Sequence, residues 1–400
     1  MSHIIVIGAG QAGSSMTSKL RNLGFDGEIT LIGAEDVPPY QRPPLSKAYL
    51  LGEMEKERLF LRPEQFYADQ NITLRLGAPV TAIDSAAKTV SVAGETLHYD
   101  QLALTTGSNP RHLPASIGGA LNGVHVVRSL DDVDAMGAEM APGKRALIVG
   151  GGYIGLEAAA VASKMGLKVT VIEMADRILQ RVAAPETSGY FRKLHEAHGV
   201  EIREGVGLDR LLGEAHVSGA RLTDGSHVDV DIVIVGVGIT PADALAADAG
   251  VTINNGIETD AHGRTSDPDI WAAGDCASFP WQGGRIRLES VQNAIDQAEL
   301  VAENMMGAGK DYVPMPWFWS DQYDVKLQIA GLNTGYDKIA VRHIGDAVSY
   351  WYYKGDKLLA VDAMNDSRNY MIGKRLIEAG KSPSPDVVTD PDTNMKALLK

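Results

Sequence analysis

One glycine-rich pattern occurs twice in this chain of 400 residues, and it constrains the fold more than any other feature. Residues 4–35 read IIVIGAGQAGSSMTSKLRNLGFDGEITLIGAE, and residues 146–176 read ALIVGGGYIGLEAAAVASKMGLKVTVIEMAD. Each segment has an apolar strand-like run, the pattern G-x-G-x-x-G, a helical stretch, a glycine and a second strand-like run. The repeat predicts two copies of one βαβ unit, because four glycines recur 142 positions apart: Gly8, Gly10, Gly13 and Gly24, then Gly150, Gly152, Gly155 and Gly166.

The glycine spacing indicates dinucleotide binding in both copies. The first glycine permits a tight turn, the second lets backbone approach a pyrophosphate, and the third lets the helix pack closely on the strand. The phosphates then meet the free N–H groups at the start of a helix. Gly24 and Gly166 are expected to end the two helices. Two copies imply two dinucleotides, and the natural pair is a flavin and a nicotinamide, since each needs a redox partner.

The acid after the second strand differs between the copies. In the second copy Glu173 ends the run VTVIE, where a carboxylate accepts hydrogen bonds from a ribose 2′-OH and repels a 2′-phosphate. This favours NADH over NADPH. In the first copy Gly33 holds that position and the acid follows at Glu35, which we expect to bind the adenosine ribose.

Composition excludes several classes of protein. Hydrophobic residues make up 44% and charged residues 22%, as in ordinary soluble enzymes, and the length predicts two or three domains. A net charge of −14 argues against a nucleic-acid binder. No secretion signal or uncharged apolar run long enough for a membrane span is recognised, so we expect a cytoplasmic protein. The single cysteine, Cys276, cannot form an internal disulfide or hold an iron–sulfur cluster, and no metal site is expected.

Three further motifs assign the first copy to FAD and mark the domain crossings. IWAAGDCAS contains Gly274 and Asp275. In flavoproteins that bind two dinucleotides, such a Gly-Asp pair places the aspartate near the ribityl chain or pyrophosphate; the alternative is a simple turn. ALTTGSNPR and VIVGVGITP read as the two crossings between domains, and they contain Thr106, Gly107, Gly236 and Gly238.

The predicted architecture is α/β, with two Rossmann-like domains and a C-terminal α+β domain, similar to glutathione reductase. We expect a discontinuous FAD domain at 1–110 and 240–312, an NAD domain at 111–239 and a C-terminal domain at 313–400. The last region has strand-like runs at 325–332 and 338–344 and a hairpin at 347–364 that turns at Gly355-Asp356. A helix at 370–380 is closed by Gly380, and the final residues read as a loose tail.

Five motifs carry a family resemblance over essentially the whole chain. They are RPPLSK (42–47), GGGYIGLEAA (150–159), WAAGDCA (271–277), ESVQNAIDQA (289–298) and WFWSDQY (317–323). On these motifs the chain resembles the putidaredoxin reductase-like family of FAD-dependent NADH:ferredoxin reductases, which serve bacterial monooxygenases and dioxygenases. The apoptosis-inducing factor shares the fold, so fold alone does not settle function.

The resemblance implies roles for individual residues. Lys47 and Glu157 would meet near the flavin N5, and Trp319, or else Trp317, would lie against the isoalloxazine. Glu289 would contact the nicotinamide amide. The remaining residues implied in cofactor binding are Ala12, Ala34, Arg42, Val80, Arg128, Ile154 and Val291.

The resemblance also implies the reaction and its partner. NADH would pass hydride to FAD, and single electrons would leave to an external 2Fe–2S ferredoxin from a monomer or weak dimer. No cysteine lies in YQRPPLSKA (40–48), which argues against a disulfide reductase and an NADH oxidase. A non-catalytic, redox-sensing flavoprotein of the apoptosis-inducing type stays open. Nine basic residues in the later part of the chain form either a docking patch for an acidic ferredoxin or an ordinary solvated surface. They are Arg285, Arg287, Lys326, Lys338, Arg342, Lys354, Arg368, Lys374 and Arg375. His195 and His198 are expected at the surface or in capping roles.

Overall fold

The computed structural model, which describes residues 2–400, divides into two compact units. The first unit contains the chain up to Gln41, Glu55–Asn109 and Ile239–Pro314. The second contains Arg42–Met54, Pro110–Gly238 and Met315–Lys400. The expected FAD domain begins at residue 1, which lies outside the described residues, and the three-domain division stays a prediction.

The elements are numbered in chain order. The strands are β1 His3–Ile7, β2 Glu28–Ile32, β3 Ile72–Arg75, β4 Val80–Asp84, β5 Thr89–Val92, β6 Glu95–His98, β7 Gln101–Leu104, β8 Ser108–Pro110, β9 Val124–Val126, β10 Arg145–Val149, β11 Lys168–Glu173, β12 Glu201–Glu204, β13 Leu208–Gly213, β14 Val217–Leu222, β15 His227–Asp229, β16 Ile232–Val235, β17 Ile239–Pro241, β18 Ile257–Glu258, β19 Ile270–Ala272, β20 Ala277–Trp281, β21 Gly284–Ile286, β22 Trp317–Gln322, β23 Val325–Gly331, β24 Lys338–Ile344, β25 Ala347–Lys354 and β26 Lys357–Met364. The α-helices are α1 Gln11–Asn22, α2 Glu64–Asp69, α3 Leu130–Glu139, α4 Tyr153–Lys164, α5 Pro185–Ala197, α6 Ala244–Asp248, α7 Val291–Met305, α8 Ser367–Glu378 and α9 Pro385–Thr389. Shorter helical turns span Leu45–Tyr49, Lys56–Leu59, Ala115–Ile117 and Met395–Leu399.

A parallel sheet organises the first unit. Its strand order is β19-β7-β1-β2-β3, and side chains from α1 and α7 form one buried cluster against it. The small sheet β4-β5-β6 and α6 contribute to a second cluster. Strands covered on both faces in this way are rich in Ile, Leu and Val, as the run HIIVI of β1 is.

The second unit repeats the arrangement around its own parallel sheet, of order β12-β11-β10-β16-β9. Strand β10 pairs in parallel with β11, and α4 lies between them in sequence, as β1, α1 and β2 do in the first unit. The two predicted βαβ units are therefore confirmed, each with a helix of 12 residues.

The glycines predicted to end these two helices do so. Gly24 and Gly166 have φ of +83° and +84°, and each follows the residue that caps its helix. The amide of the next residue then bonds back to the last turn, from Phe25 to Leu20 and from Leu167 to Ala162. Left-handed backbone at this position favours glycine, which explains why the repeat keeps it.

An antiparallel sheet of order β22-β23-β26-β25-β24 forms the C-terminal part of the second unit. The predicted hairpin is confirmed, because Lys354 pairs with Lys357 across Gly355-Asp356. Strands β23 and β24 lie where the apolar runs predicted them, and α8 begins three residues before the predicted helix. Trp351, Val361 and Leu376 are fully buried in the core between this sheet and α8.

The prediction of a loose C-terminal tail was wrong. Residues 381–400 contain α9 and a final helical turn, and Val388 and Met395 are buried. Arg342 of β24 is also buried and donates to four backbone carbonyls of this segment: Val388, Asp390, Pro391 and Thr393. The proline- and aspartate-rich composition concealed these contacts, because their donor lies about 50 residues earlier in the chain.

Among residues 2–400, no helix is both long and apolar enough to cross a bilayer.

Candidate active site

The first glycine loop leaves open space at its middle glycine. Gly8 has a φ of +115°, and a Cβ there would lie 2.2 Å from the Thr105 carbonyl oxygen. A Cβ on Gly13 would lie 2.1 Å from the carbonyl oxygen of Gly8, whereas one on Gly10 would meet no described atom within 4 Å. Gly10 also caps α1 without a side-chain hydrogen bond in the described chain, so the first amides of α1 are left for a ligand.

The second loop has the same construction. Gly150 has a φ of +106°, and a Cβ on Gly155 would lie 2.1 Å from the Gly150 carbonyl oxygen. Gly152 caps α4 with no side-chain bond, and a Cβ there would contact none of the described atoms within 4 Å. Both loops therefore fit a pyrophosphate, which needs close approach to backbone and free helical amides.

The acids that follow the loops are held differently. Glu173 accepts hydrogen bonds from the Gly151 amide at 2.7 Å and the Ala175 amide at 2.8 Å, which fixes its carboxylate beside the second loop. In the first unit Tyr40 donates its hydroxyl to Glu35 at 2.5 Å. Ala34, beside Glu35, is exposed.

The displaced acid of the first copy has a steric cause. A Cβ on Gly33 would lie 2.7 Å from the Cβ of Ala9, so no side chain fits at the end of β2. In the second copy the glycine is in the loop: a Cβ on Gly151 would lie 2.6 Å from Ile178 Cγ2 and 3.2 Å from the Glu173 Cβ. The alanine in the first loop thus moves the acid two residues along the chain.

Several of the predicted flavin residues lie in the first unit, and one of them, Gly274, lies at the start of α1. A Cβ on Gly274 would lie 3.2 Å from the Cβ of Ala12, and the neighbouring Asp275 accepts a 3.0 Å hydrogen bond from Ser108. Thr106 donates to the Ala242 carbonyl, and Gly107 has a φ of +73°. Helix α7 begins at Val291, capped by Ser290.

Other predicted residues lie in regular or paired positions. Val80 begins β4, opposite Val92, and Glu289 forms an ion pair with Arg287 at 2.6 Å. In the second unit the Gly236 carbonyl crowds Gly150, Gly238 has a φ of +101°, and Ile154 is 46% exposed at the start of α4.

Lys47 and Glu157 form an ion pair in the second unit. The Lys47 Nζ lies 2.7 Å from Glu157 Oε2, and the Glu157 side chain is only 2% exposed on α4. Two serines complete the carboxylate's contacts: Ser46 donates to Oε2 at 3.0 Å and Ser320 donates to Oε1 at 2.7 Å. A buried carboxylate needs such partners, because removing it from water is otherwise costly.

The two serines were not among the predicted site residues. Ser46 lies in RPPLSK and Ser320 in WFWSDQY, and each stands among larger apolar or charged neighbours. The available signal was the two-residue period of β22, which places Ser320 on the same strand face as Phe318. The Phe318 ring packs 5.1 Å from that of Tyr153, at the start of α4.

The side chain of Arg42 contacts the backbone of Arg128. The Arg42 guanidinium donates to the Arg128 carbonyl oxygen at 2.5 Å. The Asp132 carboxylate accepts a hydrogen bond from the Ser129 amide in a capping box that starts α3, so this acid stabilises the start of the helix.

The two candidate tryptophans occupy different surroundings. Trp317 packs against the C-terminal core, and Lys374 Nζ lies 5.1 Å from its ring centre. Trp319 is partly buried, with its ring 5.5 Å from that of Trp317, but it is not part of that core.

Four of the residues considered for a basic patch have internal partners, and one of them, Lys374, lies 3.9 Å from Glu378. Arg342 holds the C-terminal segment, Arg285 donates to the carbonyls of Thr259 and Ser278, and Arg287 pairs with Glu289. The expectation for His195 was wrong, because the residue is fully buried and bonds Gln322 at 2.8 Å. His198 does cap α5.

Cys276 is buried, as expected for a packed residue. Burial raises the pKa of its thiol, which keeps it in the unreactive protonated form.

The comparisons with known proteins agree over the full length. The model of the pyridine nucleotide-disulphide oxidoreductases matches residues 2–298, and the reductase C-terminal model matches residues 317–399. Rhodocoxin reductase of Rhodococcus erythropolis is 41% identical, covering 99% of this chain and 94% of that protein. Putidaredoxin reductase of Pseudomonas putida is 39% identical, covering 99% and 96%.

Solved structures give the same result. The crystal structure of the covalent putidaredoxin reductase–putidaredoxin complex superposes with a TM-score of 0.96 at 38% identity, covering 100% of this chain and 98% of that chain. With both family models and these relatives matched from end to end, the chain belongs to the pyridine nucleotide-disulphide oxidoreductases and, among them, to the putidaredoxin reductase-like ferredoxin reductases.

Proposed function

We propose that this chain is an FAD-dependent NADH:ferredoxin oxidoreductase that delivers electrons to a 2Fe–2S ferredoxin for a monooxygenase or dioxygenase. The observation that carries the proposal is the pair of glycine loops, one in each unit, each open at its middle glycine. FAD, when bound, supplies the conversion of a two-electron hydride donor into one-electron transfers. The ferredoxin reductases among the relatives support this acceptor.

The chain's own residues divide the work of binding. We assign the first loop, Glu35 and Asp275 to FAD, and the second loop and Glu173 to NADH. The Glu173 carboxylate favours NADH, since a 2′-phosphate would be repelled by it. The residues assigned to the flavin ring are Lys47, Glu157 and Trp319. Trp319 is preferred to Trp317, because Trp317 is used in the C-terminal core.

No thiol takes part in the proposed reaction. The stretch around Lys47 has no cysteine, and Cys276 is buried and protonated. Electrons therefore leave to an external carrier, and we place the protein in the cytoplasm, where ferredoxins and NADH are both present.

The test is a steady-state assay of the FAD-loaded protein with a panel of acceptors. NADH oxidation is expected with ferricyanide and with at least one 2Fe–2S ferredoxin, and it is expected to be slow with dioxygen or disulfides. A rubredoxin belongs in the panel, because one relative, 36% identical over 90% of the chain, is a rubredoxin–NAD(+) reductase. Fast peroxide formation without another acceptor, or turnover with no ferredoxin tested, would contradict the proposal.

A further inference from the structure

A directed chain of buried hydrogen bonds runs from the C-terminal sheet to Glu157. His195 Nε2 contacts Gln322 Oε1 at 2.8 Å, Gln322 Nε2 contacts Ser320 Oγ at 3.1 Å, and Ser320 Oγ contacts Glu157 Oε1 at 2.7 Å. Ser320, Gln322 and His195 are all fully buried. These side chains lie within the second unit and come from α5, β22 and α4.

The chemistry of each group fixes the direction of the chain. A glutamine donates only through Nε2 and accepts only through Oε1, so His195 must donate and Ser320 must accept. The one hydroxyl proton of Ser320 is then given to Glu157. Burial lowers the pKa of His195 to about 4, so the ring is neutral and its Nδ1 can accept from Tyr323, whose hydroxyl is 3.4 Å away.

Every bond in this chain points toward the carboxylate. Both carboxylate oxygens are thus occupied: Oε1 by Ser320, and Oε2 by Lys47 and Ser46. A carboxylate that accepts at both oxygens cannot rotate without breaking a buried bond, and buried unpaired acceptors are costly. Lys47 has a flexible four-carbon stem, and its ammonium group is held by Glu157 at 2.7 Å and, more weakly, by the Pro43 carbonyl oxygen at 3.3 Å.

We propose that Ser320, with Gln322 and His195 behind it, is a positioning residue that fixes the Glu157 carboxylate and thereby the Lys47 ammonium group. The inference rests on the proposed function, in which the Lys47–Glu157 pair serves the flavin ring. It gives the C-terminal sheet a part in hydride transfer besides supplying a tryptophan.

The test compares Ser320→Ala with Ser349→Ala. Ser349 is a matched control, because it is also fully buried in the same sheet and its hydroxyl accepts from Trp351 at 3.1 Å. In rapid-mixing experiments with the FAD-loaded protein, Ser320→Ala is expected to slow flavin reduction by NADH about tenfold, the effect of losing one hydrogen bond to a charged group. The KM for NADH should change little, and Ser349→Ala should behave as wild type.

A second readout does not use activity. Brief labelling with acetic anhydride, followed by peptide mass spectrometry, measures the reactivity of Lys47 against that of the exposed Lys338. Lys47 is expected to be labelled several-fold faster in Ser320→Ala, because its partner is no longer fixed. Ser320→Thr, which keeps the hydroxyl, should recover much of the protection.

A double-mutant cycle with Glu157→Gln identifies the route of the effect. If Ser320 acts through Glu157, adding Ser320→Ala to Glu157→Gln changes the rate no further. Additive effects, or a Ser320→Ala protein with wild-type rate and labelling, would overturn the inference. A Glu157→Gln protein with wild-type flavin reduction would instead contradict the role proposed for the ion pair itself. If Ser320→Ala does not fold, Gln322→Leu, which removes the donor to Ser320, takes its place in the same comparisons.

Discussion

At the scale of single residues, the middle glycine of each loop separates ligand binding from folding. Gly8 and Gly13 are required by contacts inside the protein, since a Cβ at either would lie about 2 Å from a carbonyl oxygen. Gly10 and Gly152 have no such contact in the described chain, and their φ angles of −103° and −80° suit any residue. A methyl group at either would occupy only the space assigned to a pyrophosphate.

Gly10→Ala and Gly152→Ala are therefore predicted to fold and to lose different ligands. Gly10→Ala should purify with roughly tenfold less FAD, because the added methyl group displaces a phosphate contact. Gly152→Ala should keep its FAD, and its KM for NADH should rise roughly tenfold for the same reason. FAD content from absorbance and NADH saturation curves measure the two effects. Gly189→Ala in α5 is the control, because a Cβ there also meets no described atom within 4 Å. Loss of FAD from Gly152→Ala alone would reverse the assignment of the loops.

The choice of nicotinamide is expected to depend on Glu173. Replacing Glu173 with Ala should raise the KM for NADH and lower the ratio of kcat/KM with NADH to kcat/KM with NADPH. The variant lacks the carboxylate that would bind a ribose hydroxyl and repel a 2′-phosphate. Glu201→Ala, on the neighbouring strand β12 and exposed, is the control. An unchanged ratio in Glu173→Ala would remove this residue from the ribose site.

At the scale of elements, α5 is joined to the C-terminal sheet by two buried titratable groups with opposite pH dependence. The pKa of His195 is lowered by burial to about 4, and that of Asp362 is raised by burial to about 6. Thr187 of α5 donates to Asp362 at 2.8 Å, and Tyr352 also donates to it. Between pH 6 and 4 the folded chain binds an extra proton at Asp362, while the unfolded chain binds one at His195.

Removing one of these groups should reveal the effect of the other on the pH dependence of stability. For His195 the unfolded pKa of 6.5 exceeds the folded value, so this residue makes stability fall as pH decreases from about 6.5 to 4. His195→Gln removes that loss, which amounts to about 3 kcal/mol. Urea unfolding at pH 7 and pH 4, with FAD in constant excess, should show a smaller acid destabilisation in His195→Gln than in wild type.

The matching variant is Asp362→Asn, which removes the stability that Asp362 gains as pH falls through its folded pKa. This variant should be more acid-sensitive than wild type. Parallel stability–pH curves for wild type and His195→Gln would contradict the buried, neutral state of His195.

Local patterns were sufficient to predict several elements, whereas contacts distant in sequence were not. The hairpin at 347–364 follows from two strand-like runs on either side of a Gly-Asp turn, and the two βαβ units follow from glycine spacing. The contact between Ser320 and Glu157 joins residues 163 positions apart, and no local period reports it. The hydrogen bonds from Arg342 of β24 to the C-terminal segment likewise join residues that are distant in sequence.

At the scale of the whole molecule, the account combines two dinucleotide loops with a lysine–glutamate pair in place of a redox-active thiol. The displaced acid at Glu35 shows that motif spacing predicts the presence of an acid but not its exact position. The sequence located an acid near the end of β2, but only the contact between Ala9 and Gly33 explains why it lies two residues later.

The most direct test of the central claim is the electron stoichiometry of one turnover without oxygen. NADH is added to the FAD-loaded protein in a one-to-one ratio, and excess oxidised 2Fe–2S ferredoxin follows, with the flavin and iron–sulfur absorbances recorded together. The account predicts loss of flavin absorbance on the first addition and its recovery on the second, with two ferredoxins reduced per NADH. Recovery only with a disulfide or dioxygen, and no reduced ferredoxin, would contradict it.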